Sequence, residues 1–407
     1  MDERTNAGVS RRSFLQAGGA TALGLSLTSA SASVAPTALA KSEPRSAIVL
    51  NLVGGPSQLE TWDPKPDAPA EVRSPHAAIR TSVPGVFVSG NFPLMAQRMH
   101  RIALVRSLHH TSAATHEVGS QLMMTGKRST GEYAAPHLGA VLSHLYGRKS
   151  ELPANVIIPW PIGNTGVAES HGQEAGFLGA DHEPFFPGRS SASLQDPHDE
   201  GAIRQRRALR RALDLDQESP SLRDRYGRNP FGEACLRARR LIERGVRMCT
   251  VNQFSTVFDC VTWDMHANGG SLNTTLADYR ETVCPQFDRA FAALLDDLDE
   301  RGLLAETVVS VVSEMGRSPW FNNRGGRDHW AGVWTNFMAG GPVAGGTVVG
   351  SSDAHGALPV SRPVSPAEYC ATLYHALGVP LEQAALLGPD GRSRPLVDAS
   401  PVHELFA

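Results

Sequence analysis

Thr307-Val308-Val309-Ser310-Val311-Val312 is β-branched at every position but one, and Glu314 follows it two residues before Gly316. A run that is apolar without alternation suits a strand covered on both faces, and such strands belong to parallel sheets flanked by helices. In open sheets of that kind ligands bind beyond the carboxyl ends of the strands, where Glu314 would lie. A glycine-rich loop then leads to Arg327-Asp328-His329-Trp330. Carboxylate, imidazole and carboxylate gathered at one sheet edge are ligand types for a divalent metal ion. The alternative is that Glu314 pairs with Arg317 or Arg327 and that His329 fills a loop.

The rest of the chain alternates strand-like and helix-like stretches. Ile48 to Val53 reads as a strand running into Gly54-Gly55-Pro56-Ser57. That turn lets the backbone and Ser57 approach a ligand, although plain sheet architecture explains it equally. Ile102 to Arg106 is a further short strand; a loop carrying His109, His110 and His116 follows, and helical spacing then runs to Gly126. After a strand-like Ala154 to Ile158 comes a loop-rich insertion around 160–235, which we expect to run over the sheet edge and rim the site. Within it, Arg204 to Arg211 reads as a surface helix with solvated cations. The helix Ala234 to Arg244, its stop Gly245 and the strand Val246 to Val251 precede Trp263-Asp264-Met265-His266, whose carboxylate and imidazole stand two residues apart. A long amphipathic helix over 276–301 leads into the run at Thr307. This alternation predicts a doubly wound α/β fold with Ile48–Val53, Val246–Val251 and Thr307–Val312 as inner strands.

Residues 1–40 are excluded from the fold. Ser10-Arg11-Arg12-Ser13-Phe14-Leu15, an apolar stretch from Ala17 and the small-residue site Ala38-Leu39-Ala40 form a twin-arginine leader in the expected order. Cleavage near Lys41 and export to the periplasm or beyond are expected, with no stable membrane span afterwards, because Ser, Thr and Gly break the apolar stretch. The 407 residues are 41% hydrophobic, enough for a large core. A formal charge of −3, or −4 without the leader, and the lack of a long basic run give no case for nucleic acid as a partner. Five cysteines without a C-x-x-C pair indicate neither a disulfide framework nor a cysteine zinc knuckle.

Seven ordered segments carry a resemblance. They are Leu52 to Lys65, Ala103 to His110, Leu122 to Arg128, Trp263 to His266, Ser313-Glu314-Met315-Gly316-Arg317-Ser318-Pro319, Gly326 to Trp330, and Ala371 to Val379. In these the chain resembles the exported proteins collected as domain of unknown function 1501, which are similar to the sulfatase and alkaline phosphatase superfamily. The resemblance implies an alkaline-phosphatase-like three-layer α/β sandwich with a mainly parallel central sheet. It also implies a divalent metal ion (zinc, calcium or manganese) held by Asp264, His266, Glu314, Asp328 and His329. The sulfatase nucleophile would fall nine residues before Thr125, on His116, where there is no Cys or Ser, so formylglycine chemistry is absent in that register. His116 is then the expected general base or phosphoryl acceptor, with Ser57, Arg317 and Arg327 binding the anionic group. Two functions follow: a metal-dependent hydrolase of sulfate, phosphate or related esters, acting on an anionic small molecule or glycan, or a catalytically degenerate relative that binds such a glycan or a protein partner.

Overall fold

The structure, a computed structural model, describes residues 44–129, 134–166, 170–187, 199–388 and 390–406. The expected leader lies outside them, as does part of the insertion around 160–235. Seven strands form the central sheet: β1 (Ser46–Asn51), β2 (Ile102–Leu108), β3 (Asn155–Ile158), β4 (Met248–Asn252), β5 (Thr307–Val312), β6 (Trp334–Ala339) and β7 (Val348–Val349). Their order across the sheet is β7-β2-β6-β5-β1-β4-β3. β5, β1, β4 and β3 pair in parallel, as do β2 and β7, whereas β6 is antiparallel to both of its neighbours. The three inner strands expected from sequence are inner strands. β1 ends at Asn51, ahead of Leu52 and Val53, which lead into the glycine turn, and β4 runs from Met248 to Asn252 rather than from Val246 to Val251.

Every residue of β5 is buried. Val309 and Val311 face one core with Ile48, Leu50 and Val251, and Val308 and Val312 face the other with Ala47, Val49 and Met248. Each fully buried valine contributes about 1.5–3 kcal/mol, which explains why a two-sided strand tolerates so little polarity. The polar residue in the middle of the strand, Ser310, is satisfied by the Tyr369 hydroxyl at 3.1 Å.

Helices cover both faces. On the first lie α3 (Glu200–Leu213), α4 (Pro220–Tyr226), α5 (Pro230–Glu243) and α6 (Cys284–Glu300). On the second lie α1 (His116–Thr125), α2 (Leu138–Tyr146) and α7 (Pro366–Leu377). The result is a three-layer α/β sandwich with a mostly parallel sheet, as the resemblance implies. The starts and stops follow local chemistry: Asn229 caps α5 by accepting the Gly232 N–H, Ser365 and Glu368 form a capping box on α7, and Gly126 ends α1 in the left-handed region. No helix among the described residues is long and apolar enough to cross a membrane.

The antiparallel strand matters for function. A parallel crossover would return the chain to the far edge of the sheet, but β5 and β6 are adjacent and antiparallel. The excursion from Ser313 to Val333 therefore leaves and re-enters the sheet at the same edge, the one where β1, β2 and β4 also end.

Candidate metal centre

Four segments meet at that edge. The first follows β1, where Gly54, at φ +115°, lies so close to the third segment that a Cβ would stand 2.8 Å from the Asp264 nitrogen. Only a residue without a side chain allows this approach. The second is the start of α1. The third follows β4, where the indole of the fully buried Trp263 donates to Gln253 at 2.8 Å and its carbonyl accepts from the Tyr279 hydroxyl at 2.6 Å, fixing Asp264 next to it. Tyr279 opens a π-helical turn ahead of α6. The fourth is the excursion after β5, where Gly316-Arg317 pairs with His329-Trp330 and sets Arg317 opposite His329.

At the centre stands the buried carboxylate of Asp264. Three imidazoles turn their Nε2 atoms toward it: His116 at 3.4 Å from Oδ2, and His266 and His329 at 3.1 and 3.2 Å from Oδ1. Each ring has its other nitrogen engaged by an acceptor on the far side. His116 Nδ1 donates to Glu314 Oε1 at 2.8 Å, His266 Nδ1 to Asp328 Oδ1 at 3.1 Å, and His329 Nδ1 to the Ala114 carbonyl at 3.0 Å. Glu314 Oε1 is itself held by the Gly54 N–H at 2.7 Å. An acceptor behind each ring fixes its tautomer and aims its second nitrogen, which is how metal-binding histidines are oriented.

The protonation states sharpen this. Burial, reinforced by Arg317, lowers the His329 pKa to about 4, so the ring is neutral at pH 7. With its proton on Nδ1, its Nε2 lone pair faces a carboxylate oxygen, and two acceptors 3.2 Å apart call for a cation between them. Burial also pushes His116 down, but Asp264 and Glu314 outweigh it and raise its pKa to about 9. Burial opposes ionisation of Asp264, yet Arg317 and the histidines hold its carboxyl well below the usual range. His116 Nε2, Asp264 Oδ2 and Glu314 Oε2 are buried without a hydrogen-bond partner. The two of these that face each other, on His116 and Asp264, fit a metal ion. His116, Asp264 and His329 can offer ligand atoms within 4.8 Å of one another.

The expected site residues divide accordingly. Asp264, His266 and His329 lie at the centre. His116, expected across the site as a base, points at Asp264 with them. Glu314 and Asp328, expected as ligands, stand behind His116 and His266 instead; the Asp328 side chain is 63% exposed. Arg317, expected to bind substrate, is fully buried, and its five N–H groups go to the carbonyls of Gly54, Gly55 and Arg327, to Asp264 and to His266. Arg327 is not available to an anion either: it makes a two-point pair with buried Glu60 at 2.9 Å and donates to Val72 and Pro319 carbonyls. Ser57 is buried, with its hydroxyl on Glu60. Ser57 and Arg327 share one cause, because both bind Glu60 and the Glu60–Arg327 pair is the internal brace that ties the excursion to the turn after β1; Arg317 is instead spent on the turn carbonyls and on Asp264. The backbone partners at Gly54 and Ala114 leave no side-chain signature, and the turn glycines were their only trace in the sequence.

A family model described as "Protein of unknown function (DUF1501)" matches residues 44–210 and 187–406. The chain belongs to the DUF1501 family. Among solved structures this DUF1501 protein is similar to a sulfatase from Pseudoalteromonas sp., at 14% identity over 90% of this chain and 72% of that one, with a TM-score of 0.44. It is similar also to a protein in the alkaline phosphatase superfamily from Vibrio parahaemolyticus (11% identity, 84% and 68%, TM-score 0.41) and to a phosphonate monoester hydrolase from Silicibacter pomeroyi (8%, 90% and 76%, TM-score 0.42). No curated protein sequence matches the chain.

Proposed function

We propose that Asp264, His116, His266 and His329 hold one divalent metal ion and that the protein is an exported hydrolase of sulfate, phosphate or related esters. The observation that carries this reading is the shared orientation of the three imidazoles, each with an acceptor behind Nδ1 and each with Nε2 aimed at one carboxylate. Three nitrogens and an oxygen suit zinc better than calcium or manganese, which prefer all-oxygen or oxygen-rich shells. When bound, the ion supplies a Lewis acid that polarises the ester oxygen.

The chain's own residues do the rest. Glu314, Asp328 and the Ala114 carbonyl keep the Nδ1 protons in place, and Arg317 keeps Asp264 ionised and oriented. His116 must give up its Nε2 proton before it can ligate, so loading the site is coupled to proton release. On the solvent side the excursion carries Trp320, 47% exposed and edge-on to Trp330 at 6.1 Å. An exposed indole there offers an apolar face to the ring of a glycan ester.

A second reading has one observation in its favour: the Arg317 guanidinium is already bound to Asp264 Oδ1. An ion-pair network without catalysis would leave a protein that only binds an anionic glycan. Hydrolysis of nitrophenyl sulfate and nitrophenyl phosphate, measured on exported protein with chelator and after zinc is restored, separates the two. The expected result is turnover of at least one ester, lost with chelator and recovered with zinc. Metal-loaded protein that turns over neither would sink the hydrolase reading.

A further inference from the structure

The opposite edge of the sheet, where β3 and β4 begin, carries a second feature. Arg204, Arg207 and Arg211 recur at intervals of three and four along α3, which places them on one stripe of the helix. That stripe faces a cleft of about 460 Å³, whose other lining includes Arg244, from the turn after α5, and Ser150 and Leu152. A Cβ on Gly245 would lie 3.1 Å from Ser150, so the connection that also carries Arg148 and Lys149 is packed against the turn bearing Arg244. The sequence reading of α3 as a helix with merely solvated cations omits this second wall.

Two of the four arginines in the cleft, Arg207 and Arg211, have no carboxylate partner among the described residues. The cleft's one carboxylate, Glu151, lies 3.9 Å from Arg204, which also reaches Glu200 on its own helix at 3.4 Å. Arg244 donates to the Arg240 carbonyl at 3.2 Å and lies 3.5 Å from Glu243. Arg207 and Arg211 are exposed, and no side-chain partner is found for either among the described residues. Guanidinium groups held side by side repel one another, and the fork of N–H donors on each matches sulfate, carboxylate or phosphate at two points.

Three properties narrow the ligand. From Arg204 to Arg211 the stripe spans about 10 Å of helix, so a match requires several anions along a chain rather than one ion. No aromatic residue lines the cleft, which leaves nothing for bases to stack on, as single-stranded nucleic acid sites need. The surface is concave, whereas an anionic lipid surface is flat. We propose that this cleft binds a linear anionic polysaccharide, sulfated or carboxylated, at a place separate from the metal centre and independent of what that centre does.

The test is fluorescence anisotropy of a labelled heparin octasaccharide with the whole exported protein, at about 0.05 M and about 0.3 M salt, on either side of the usual screening regime. Saturable binding that weakens with salt is expected, and Arg207→Gln and Arg211→Gln should each weaken it about fivefold or more, as loss of a two-point charged contact implies. Arg210→Gln removes the same charge from an exposed position on the same helix outside the cleft and should change binding less than about twofold. Thermal melts of all three variants should match the parent, because each side chain is exposed. Failure of the octasaccharide to bind at low salt would overturn the proposal. So would equal weakening by Arg210→Gln, or tighter binding to phosphatidylserine vesicles or to a single-stranded oligonucleotide.

Discussion

At the residue scale the distinction that matters is between groups that point at Asp264 and groups that hold those groups still. Glu314 and Asp328 are the right chemical type for ligands, and nothing in a linear sequence separates a carboxylate that touches an ion from one that stands behind an imidazole. The two differ in consequence. Glu314→Gln removes a charged acceptor from His116 Nδ1 and should weaken metal binding by about 10- to 100-fold without abolishing it, as read by competition with a chromogenic chelator. Undiminished affinity would mean that His116 is not oriented by Glu314. Arg327 makes the opposite case. Its side chain and that of Glu60 are both 0% exposed, so Arg327→Ala leaves a carboxylate buried and unpaired and should cost about 3–5 kcal/mol in denaturant unfolding. A variant of unchanged stability with a raised KM would restore Arg327 to the substrate side.

At the element scale, close packing of α1 on the excursion fixes the geometry of the centre. A Cβ on Gly119 would lie 2.4 Å from the Glu314 carbonyl oxygen, so Gly119→Ala must push α1 away from Glu314 and separate His116 from its partner. A loss of about 1–3 kcal/mol, typical of overpacking, together with weaker metal binding, is expected; a stability loss with metal affinity intact would detach the helix position from the site. α2 supplies a pH dependence. Its N-cap is the buried imidazole of His137, whose Nδ1 accepts the Gly139 N–H at 3.0 Å, and burial lowers its pKa from 6.5 to about 4. The unfolded chain then takes up a proton near pH 6.5 that the folded chain refuses until about pH 4, so stability falls as the pH drops through this window. The loss amounts to roughly 3 kcal/mol, with His329 adding in the same direction. His137→Asn keeps a capping oxygen without the titration and should flatten the slope; an unchanged slope would assign it elsewhere.

At the scale of the whole molecule, the architecture was legible because two-sided burial writes itself into composition: β1 and β5 are largely apolar runs, and β4 was marked by the helix and the Gly245 stop ahead of it. What was not legible is direction. Trp334-Thr335-Asn336-Phe337-Met338-Ala339 has neither a clean alternation nor an unbroken apolar run, and nothing local shows that it returns antiparallel beside β5. Yet that reversal brings His329 back to the edge where Asp264 and His116 lie. The ligand types were readable, while their assignment to positions depended on long-range contacts such as the 3.0 Å bond from His329 to Ala114. Export is a proposal at the same scale. Replacing Arg11 and Arg12 with lysine should leave the protein in the cytoplasm, and continued export of that variant would remove the twin-arginine reading.

The central claim is that the cluster around Asp264 is a metal centre rather than a network of ion pairs. It is tested most directly by elemental analysis of purified, extensively dialysed protein beside His116→Ala and His329→Ala. The expected result is about one divalent ion per chain in the parent, as a four-ligand site binds, little or none in either variant, and a melting temperature that chelator lowers in the parent alone. A parent protein without stoichiometric metal that melts identically with and without chelator would contradict the claim, and the three histidines would then be ion-pair partners that brace the excursion against the sheet.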